Sequence, residues 1–117
     1  MGSEGGRMSL DVYLYGIYID HDVEIFTRNI THNLNTMAAR AGIYYHLWRP
    51  EEIGIEYAHQ LIEPLKDGVK RLKGYPEYYK QFNATNGWGM YEHFVPFVEE
   101  YLEACREYPR ALIHVSR

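Results

Sequence analysis

The chain has 117 residues, enough for one domain and too few for two ordinary ones. A formal charge of −4 and a pI near 5.8, without any basic run, weigh against nucleic-acid binding, which needs a basic surface. Cys105 is the only cysteine, which excludes an intramolecular disulfide and a cysteine-based zinc site. No apolar run reaches membrane-spanning length, so no membrane association is expected and a reducing cytoplasm is the expected setting.

Residues 1–9 contain three glycines and no pattern, and read as a flexible leader or tag remnant ahead of a single domain over 10–117. Leu10–Ile19 is dense in Val, Leu, Ile and Tyr, which favours a strand. Val12, Leu14 and Tyr18 fall on one face; Tyr13, Tyr15, Ile17 and Ile19 fall on the other. A strand apolar on both faces should be covered on both or lie at an interface, so pairing with a second copy is expected there. Gly16 marks a bulge or a close approach by another group. Asp20-His21-Asp22 could be half of a metal site but is better read as a polar turn.

From Asn29 to Gly42 the apolar residues Leu34, Met37, Ala38 and Ala41 are three and four apart. This spacing predicts a short helix with Asn29 or Thr31 as its cap and Gly42 beyond its end. Ile43–Trp48 is an aromatic connector. Arg49-Pro50-Glu51-Glu52 then reads as a second helix start, with Pro at the first position and acids at the positive end of the dipole. Ala58, Leu61, Ile62, Leu65, Val69 and Leu72 predict a longer helix that Pro64 kinks or splits, ended by Gly74 and Pro76. Asn83–Gly89 is a loop by composition. A last helix follows, with Tyr91, Phe94, Val95, Val98, Tyr101, Leu102 and Cys105 on one face and Pro96 near its start. Ala111–Val115 closes the chain as a strand. The expected fold is α+β: a mostly helical single domain whose small sheet is formed by the N-terminal and C-terminal strands.

Three clusters could carry chemistry. Asn29, Thr31, His32 and Asn33 place four polar side chains at a predicted helix start, where free N–H groups and a positive dipole end favour anions. A capped helix explains Asn29 or Thr31, but not four polar groups almost in a row. Arg49 with Glu51 and Glu52 could clamp an anion or do acid–base work, although a solvated first turn is the better reading of them. Asn86, Trp88 and Tyr91 form the third cluster. A tryptophan between two glycines can close over a flat ligand, or it can plug the end of the core. Cys105 reads as a buried structural thiol. The six histidines show no His-x-x-x-His pair, and nothing calls for a metal or another cofactor.

Asn29-Ile30-Thr31-His32-Asn33-Leu34, Leu47-Trp48-Arg49-Pro50-Glu51-Glu52, Asn86-Gly87-Trp88-Gly89-x-Tyr91, Tyr101-Leu102-Glu103-Ala104-Cys105 and Val115-Ser116-Arg117 together resemble a family of small uncharacterised proteins of bacteriophage and bacterial genomes. The resemblance covers nearly all of the chain after the leader. It implies a phage or prophage context and no particular reaction.

The leading functional expectation is a binding module for a small polar or anionic ligand, with Asn29–Asn33, Arg49 and the Trp88 loop converging on it. One alternative is a small hydrolase with His32 as general base and Asn29 or Asn33 orienting substrate. The other is a structural or interaction factor meeting a protein partner through tyrosine-rich surface.

Overall fold

The computed structural model describes residues 9–18 and 21–117. Except for Ser9, the expected leader lies outside the described residues, as do Ile19 and Asp20. The chain opens with β1 (Ser9–Tyr18) and β2 (His21–Thr31). A 3-10 turn (His32–Leu34) leads into α1 (Asn35–Arg40) and α2 (Tyr44–Trp48). Two more 3-10 turns, Pro50–Ile53 and Ala58–Leu61, precede α3 (Ile62–Gly74), α4 (Pro76–Lys80), α5 (Tyr91–Glu107) and β3 (Leu112–Ser116). The sheet is antiparallel throughout, in the order β2-β1-β3. The α+β class holds, and the N- and C-terminal strands do pair, with β2 as an added third strand.

β2 is the element the sequence pattern does not predict. It runs up to Thr31, so Asn29, expected at a helix start, lies inside a strand, and His21 and Asp22 belong to the ladder rather than to a turn. The cause is a bulge. Leu14 faces Phe26 while the next residue, Tyr15, faces Glu24, leaving Ile25 as an extra residue on β2. The extra residue interrupts the two-residue alternation that would reveal a strand. Gly16 sits beside this bulge, and a side chain there would collide with Ile25 Cδ1 at 2.8 Å. Thr31, not Asn29, is the cap: its Oγ1 accepts from the Asn33 backbone N–H at 3.3 Å.

One face of the sheet is covered. Leu10, Val12 and Leu14 from β1 are fully buried with Phe94, Val98 and Tyr101 of α5 and Leu65 and Leu72 of α3. Phe26 stacks on Tyr101 at 5.8 Å between ring centroids. Nothing among the described residues covers the other face. There Tyr13 and Tyr15 stack at 5.9 Å, His114 packs against both, and Ile17 remains 72% exposed. Tyrosine explains the difference from the expected double cover, because its ring packs while its hydroxyl stays wet.

β1 is the central strand, with both edges already paired. β3's outer side meets residues 56 and 57 through an Ile113 N–H to Glu56 carbonyl bond and a Tyr57–Leu112 bridge. On β2, Arg28 falls on the core side, opposite Val12. It turns out over the Phe26 ring (4.7 Å) to bond Glu100 at 2.8 Å. An inward-pointing charge and a bulge are both features that discourage edge-to-edge pairing.

The two long helices fall where the periodicity predicts them, whereas the helix expected over 29–42 is confined to α1 (Asn35–Arg40). Pro64 is the third residue of α3, where its missing N–H costs nothing, and the predicted split falls just before it at Leu61/Ile62. Gly42 follows α1 with φ +79°. The expected aromatic connector Ile43–Trp48 is mostly helix, and the Pro50 helix start is a single 3-10 turn. Among the described residues no helix is long and apolar enough to cross a membrane.

Candidate functional site

A hollow of 720 Å³ opens where β2 ends, where the Asn86–Gly89 segment crosses and where α5 begins. Its polar lining includes Ser9, Asn29, Thr31, Asn33, Asn86 and His93, its floor is Ile30 and Leu34, and Trp88 forms one wall. The volume lies within the range of small-molecule sites.

The loop is built by its own backbone. The Ala84 N–H donates to the Gly89 carbonyl at 2.9 Å, and the Gly87 N–H donates to the Ala84 carbonyl at 3.2 Å. Gly89 has φ +121°, a conformation that side chains rarely adopt. An added Cβ there would stand 2.9 Å from Asn33 Cβ, so the loop meets Asn33 as closely as glycine allows. Trp88 is fixed at both backbone ends: its N–H donates to Asn86 Oδ1 at 2.9 Å, and its carbonyl accepts from Asn33 Nδ2 at 2.7 Å. The indole itself is 71% exposed. The backbone that carries this ring is held in place while the residue buries little of its surface, so it is not the plug at the end of the core that the sequence also permits. The buried tryptophan is Trp48.

The structure brings Asn29, Thr31, Asn33, Asn86 and Trp88 to this one hollow and leaves His32, Arg49 and Tyr91 outside its lining. His32 accepts the Trp48 indole N–H on Nδ1 at 2.8 Å, which identifies Nε2 as its protonated nitrogen when neutral. Arg49 donates from Nε to the Tyr44 hydroxyl at 3.1 Å and pairs with Glu52 at 2.8 Å. The Tyr44 bond first and then Glu52 raise its pKa further. Glu51 is drawn away by Arg117, which bonds it at 2.6 Å and the Trp48 carbonyl at 2.9 Å, and this bond holds the Glu51 carboxyl below its ordinary pKa. Tyr91 donates its hydroxyl to the Leu72 carbonyl at 2.7 Å, while its backbone N–H donates to Asn83 Oδ1. Arg49 and Tyr91 thus serve packing between elements.

Two lining residues escape the sequence reading. Ser9 falls in the presumed leader, and His93 looks like any polar residue on the outer side of an amphipathic helix. The usable signal for His93 is its place in the first turn after the Gly87-Trp88-Gly89 loop. Among the described residues no group of His, Cys, Asp or Glu is arranged to hold a metal ion. Burial pushes the Cys105 thiol up to about 12. Compared with family models, curated proteins and solved structures, the chain matches none.

Proposed function

We propose that this protein is a binding module whose hollow beside Trp88 takes a small polar ligand. The observation that carries the reading is an exposed indole on a backbone that hydrogen bonds anchor at both ends beside the hollow. Exposing a large aromatic forgoes the stabilisation of burying it, so an exposed ring on an anchored loop fits a surface that something else covers. The polar lining supplies convergent hydrogen-bonding groups beside an apolar floor, the usual composition of a small-molecule site. The hydrolase alternative gains nothing from this geometry, because His32 lies outside the hollow with Nδ1 committed to Trp48. The phage or prophage setting implied by the resemblance is part of this proposal.

The test is a thermal-shift screen of small polar compounds against the wild type, Trp88→Ala, His32→Ala and Arg49→Ala. Ligand-induced shifts should vanish in Trp88→Ala and persist in the other two. Shifts that survive Trp88→Ala would overturn the reading.

A second reading, self-association through β1, is favoured by the uncovered sheet face. Tyr13, Tyr15 and Ile17 stand there, with His114 packed against the two tyrosines. Since both edges of β1 are occupied, a second copy would meet it face to face. A stable monomer by light scattering at micromolar concentration would refute this.

A further inference from the structure

The three asparagines of the hollow are already oriented. Asn29 Nδ2 donates to the Asp11 carboxylate Oδ1 at 2.5 Å, and Asn33 Nδ2 donates to the Trp88 carbonyl at 2.7 Å. Both partners are acceptors only, so the amide nitrogen must face them and the amide oxygen must face away. Asn86 is oriented the other way, because its Oδ1 accepts the Trp88 backbone N–H at 2.9 Å and its NH₂ is therefore turned outward. The hollow's lining thus carries two outward amide oxygens, one outward amide NH₂, the Ser9 and Thr31 hydroxyls and the His93 imidazole. Among the described residues no Lys, Arg, Asp or Glu lines the hollow.

This set discriminates between ligand classes. A phosphate or carboxylate needs donors and gains most from a cation or an open helix N-terminus. Here two of the three amides offer acceptors, which would oppose an anion's oxygens. The Asn33 N–H at the turn's start is already taken by Thr31. A cationic ligand would want a carboxylate in the lining, and among the described residues none is there. A ligand rich in hydroxyls satisfies all of these groups, since each hydroxyl donates one hydrogen bond and accepts others. The exposed indole adds a flat apolar surface suited to the C–H face of a saturated ring.

We propose that the hollow binds a neutral saccharide, one ring lying on the Trp88 indole with hydroxyls donating to the outward amide oxygens of Asn29 and Asn33 and accepting from Asn86 Nδ2. This assignment rests on the binding-module reading and narrows its ligand from polar or anionic to uncharged and polyhydroxylated.

The experiment follows the two indole N–H resonances by NMR, that of Trp88 being identified by its loss in Trp88→Phe. Cellobiose, maltose and N,N′-diacetylchitobiose are titrated separately, with inorganic phosphate and adenosine monophosphate as anionic counterparts. At least one disaccharide should move the Trp88 resonance saturably, leaving Trp48 in place. Trp88→Ala should weaken its binding, followed by calorimetry, by at least about tenfold, roughly 1.4 kcal/mol. Because the indole is mostly exposed, Trp88→Ala should keep the wild-type melting temperature, which separates lost binding from lost fold. Movement with adenosine monophosphate or phosphate but with no sugar would overturn the saccharide assignment and leave the binding module standing. Silence from every compound would overturn the assignment and remove support from the module as well.

Discussion

Gly89→Ala tests the construction of the site most directly. Two costs can be read from the geometry. At φ +121° a residue with a Cβ is strained by roughly 1–3 kcal/mol. The new Cβ would also lie 2.9 Å from Asn33 Cβ and 3.5 Å from both the Asn33 carbonyl carbon and Thr31 Cγ2. Two of these neighbours are anchored, Asn33 by its bond to the Trp88 carbonyl and Thr31 by its strand, so overpacking adds about 1–3 kcal/mol. The smaller conformational freedom of unfolded alanine returns roughly 0.4–1 kcal/mol. The expected net loss is about 1–6 kcal/mol, or a fall in melting temperature of roughly 4–22 °C for a domain of this size. Gly87→Ala is the internal control two residues away. Its φ is +81° and nothing lies within 4 Å of its added Cβ. It carries only left-handed strain, about 1–2 kcal/mol before the same return. Circular dichroism melts of both variants, with the Trp88 indole resonance recorded in parallel, give the comparison. Should the loop open locally instead of destabilising the whole domain, the resonance would shift and narrow. A Gly89→Ala protein that melts no lower than Gly87→Ala, with an unaltered Trp88 resonance, would refute the claim that Gly89 is pinned against Asn33.

Two further predictions concern titrating groups. Cys105, buried on α5 with its thiol pushed up to about 12, should stay unreactive to a disulfide reagent at about pH 8 in the native protein and react promptly in denaturant; fast native labelling would contradict its burial. His46 has its pKa lowered from 6.5, first by burial and then by the Arg71 charge. The unfolded chain therefore takes up this proton before the folded one, and stability should fall as pH drops through the ordinary histidine range. His46→Gln should flatten that part of the pH profile of the melting temperature, and an unchanged slope would assign the effect to another group.

How much was legible depends on whether a single period could act over enough residues. α3 and α5 show their apolar faces every three to four residues, and β1 is dense in strand formers despite Asp11 and Gly16, so packing decided them as propensity suggests. The Asn83–Gly89 loop was legible because its glycines permit little else. β2 was not. Phe26 and Ile30 face the core, but Val23 and Ile25 are exposed and Arg28 occupies an inward position, so no alternation survives around the bulge. Its polar end was then taken for a helix cap, a role that belongs to Thr31 alone. The meeting of Asn29–Asn33 with Trp88 was foreseeable as two polar, loop-like stretches. That His32 would turn to Trp48, and Arg49 to Tyr44 and Glu52, depends on tertiary placement that local spacing does not encode.

The bulge also decides which side chains reach the hollow, and deletions can show it. Near the hairpin end the ladder runs Tyr18–His21, Ile17–Asp22, Gly16–Val23 and Tyr15–Glu24; beyond it, Leu14–Phe26, Val12–Arg28, Asp11–Asn29 and Leu10–Ile30. Ile25 takes up the difference of one residue. Continuing the first register would place Asn29 opposite Leu10 and turn Ile30 outward, since a slip of one residue reverses every side chain. Deleting Ile25 therefore removes the surplus residue and leaves all later pairs intact. It should lower stability by only about 1 kcal/mol, from an exposed side chain whose main contact is Gly16, and the Trp88 resonance should not move. Deleting Arg28, three positions on, cannot be absorbed in this way. If the bulge persists, Ile30 leaves the core and Asn29 takes Arg28's place opposite Val12; if the bulge closes, Phe26 swings away from Tyr101. Either path loses roughly 1.5–3 kcal/mol of apolar burial, and on the first path Asn29 also loses its Asp11 partner. A general intolerance of deletions in a strand predicts equal damage at the two positions. Comparable loss of melting temperature in both variants would refute the register argument, whereas a stable Ile25 deletion beside a crippled Arg28 deletion would establish that one extra residue turns Asn29 and Thr31 toward the hollow.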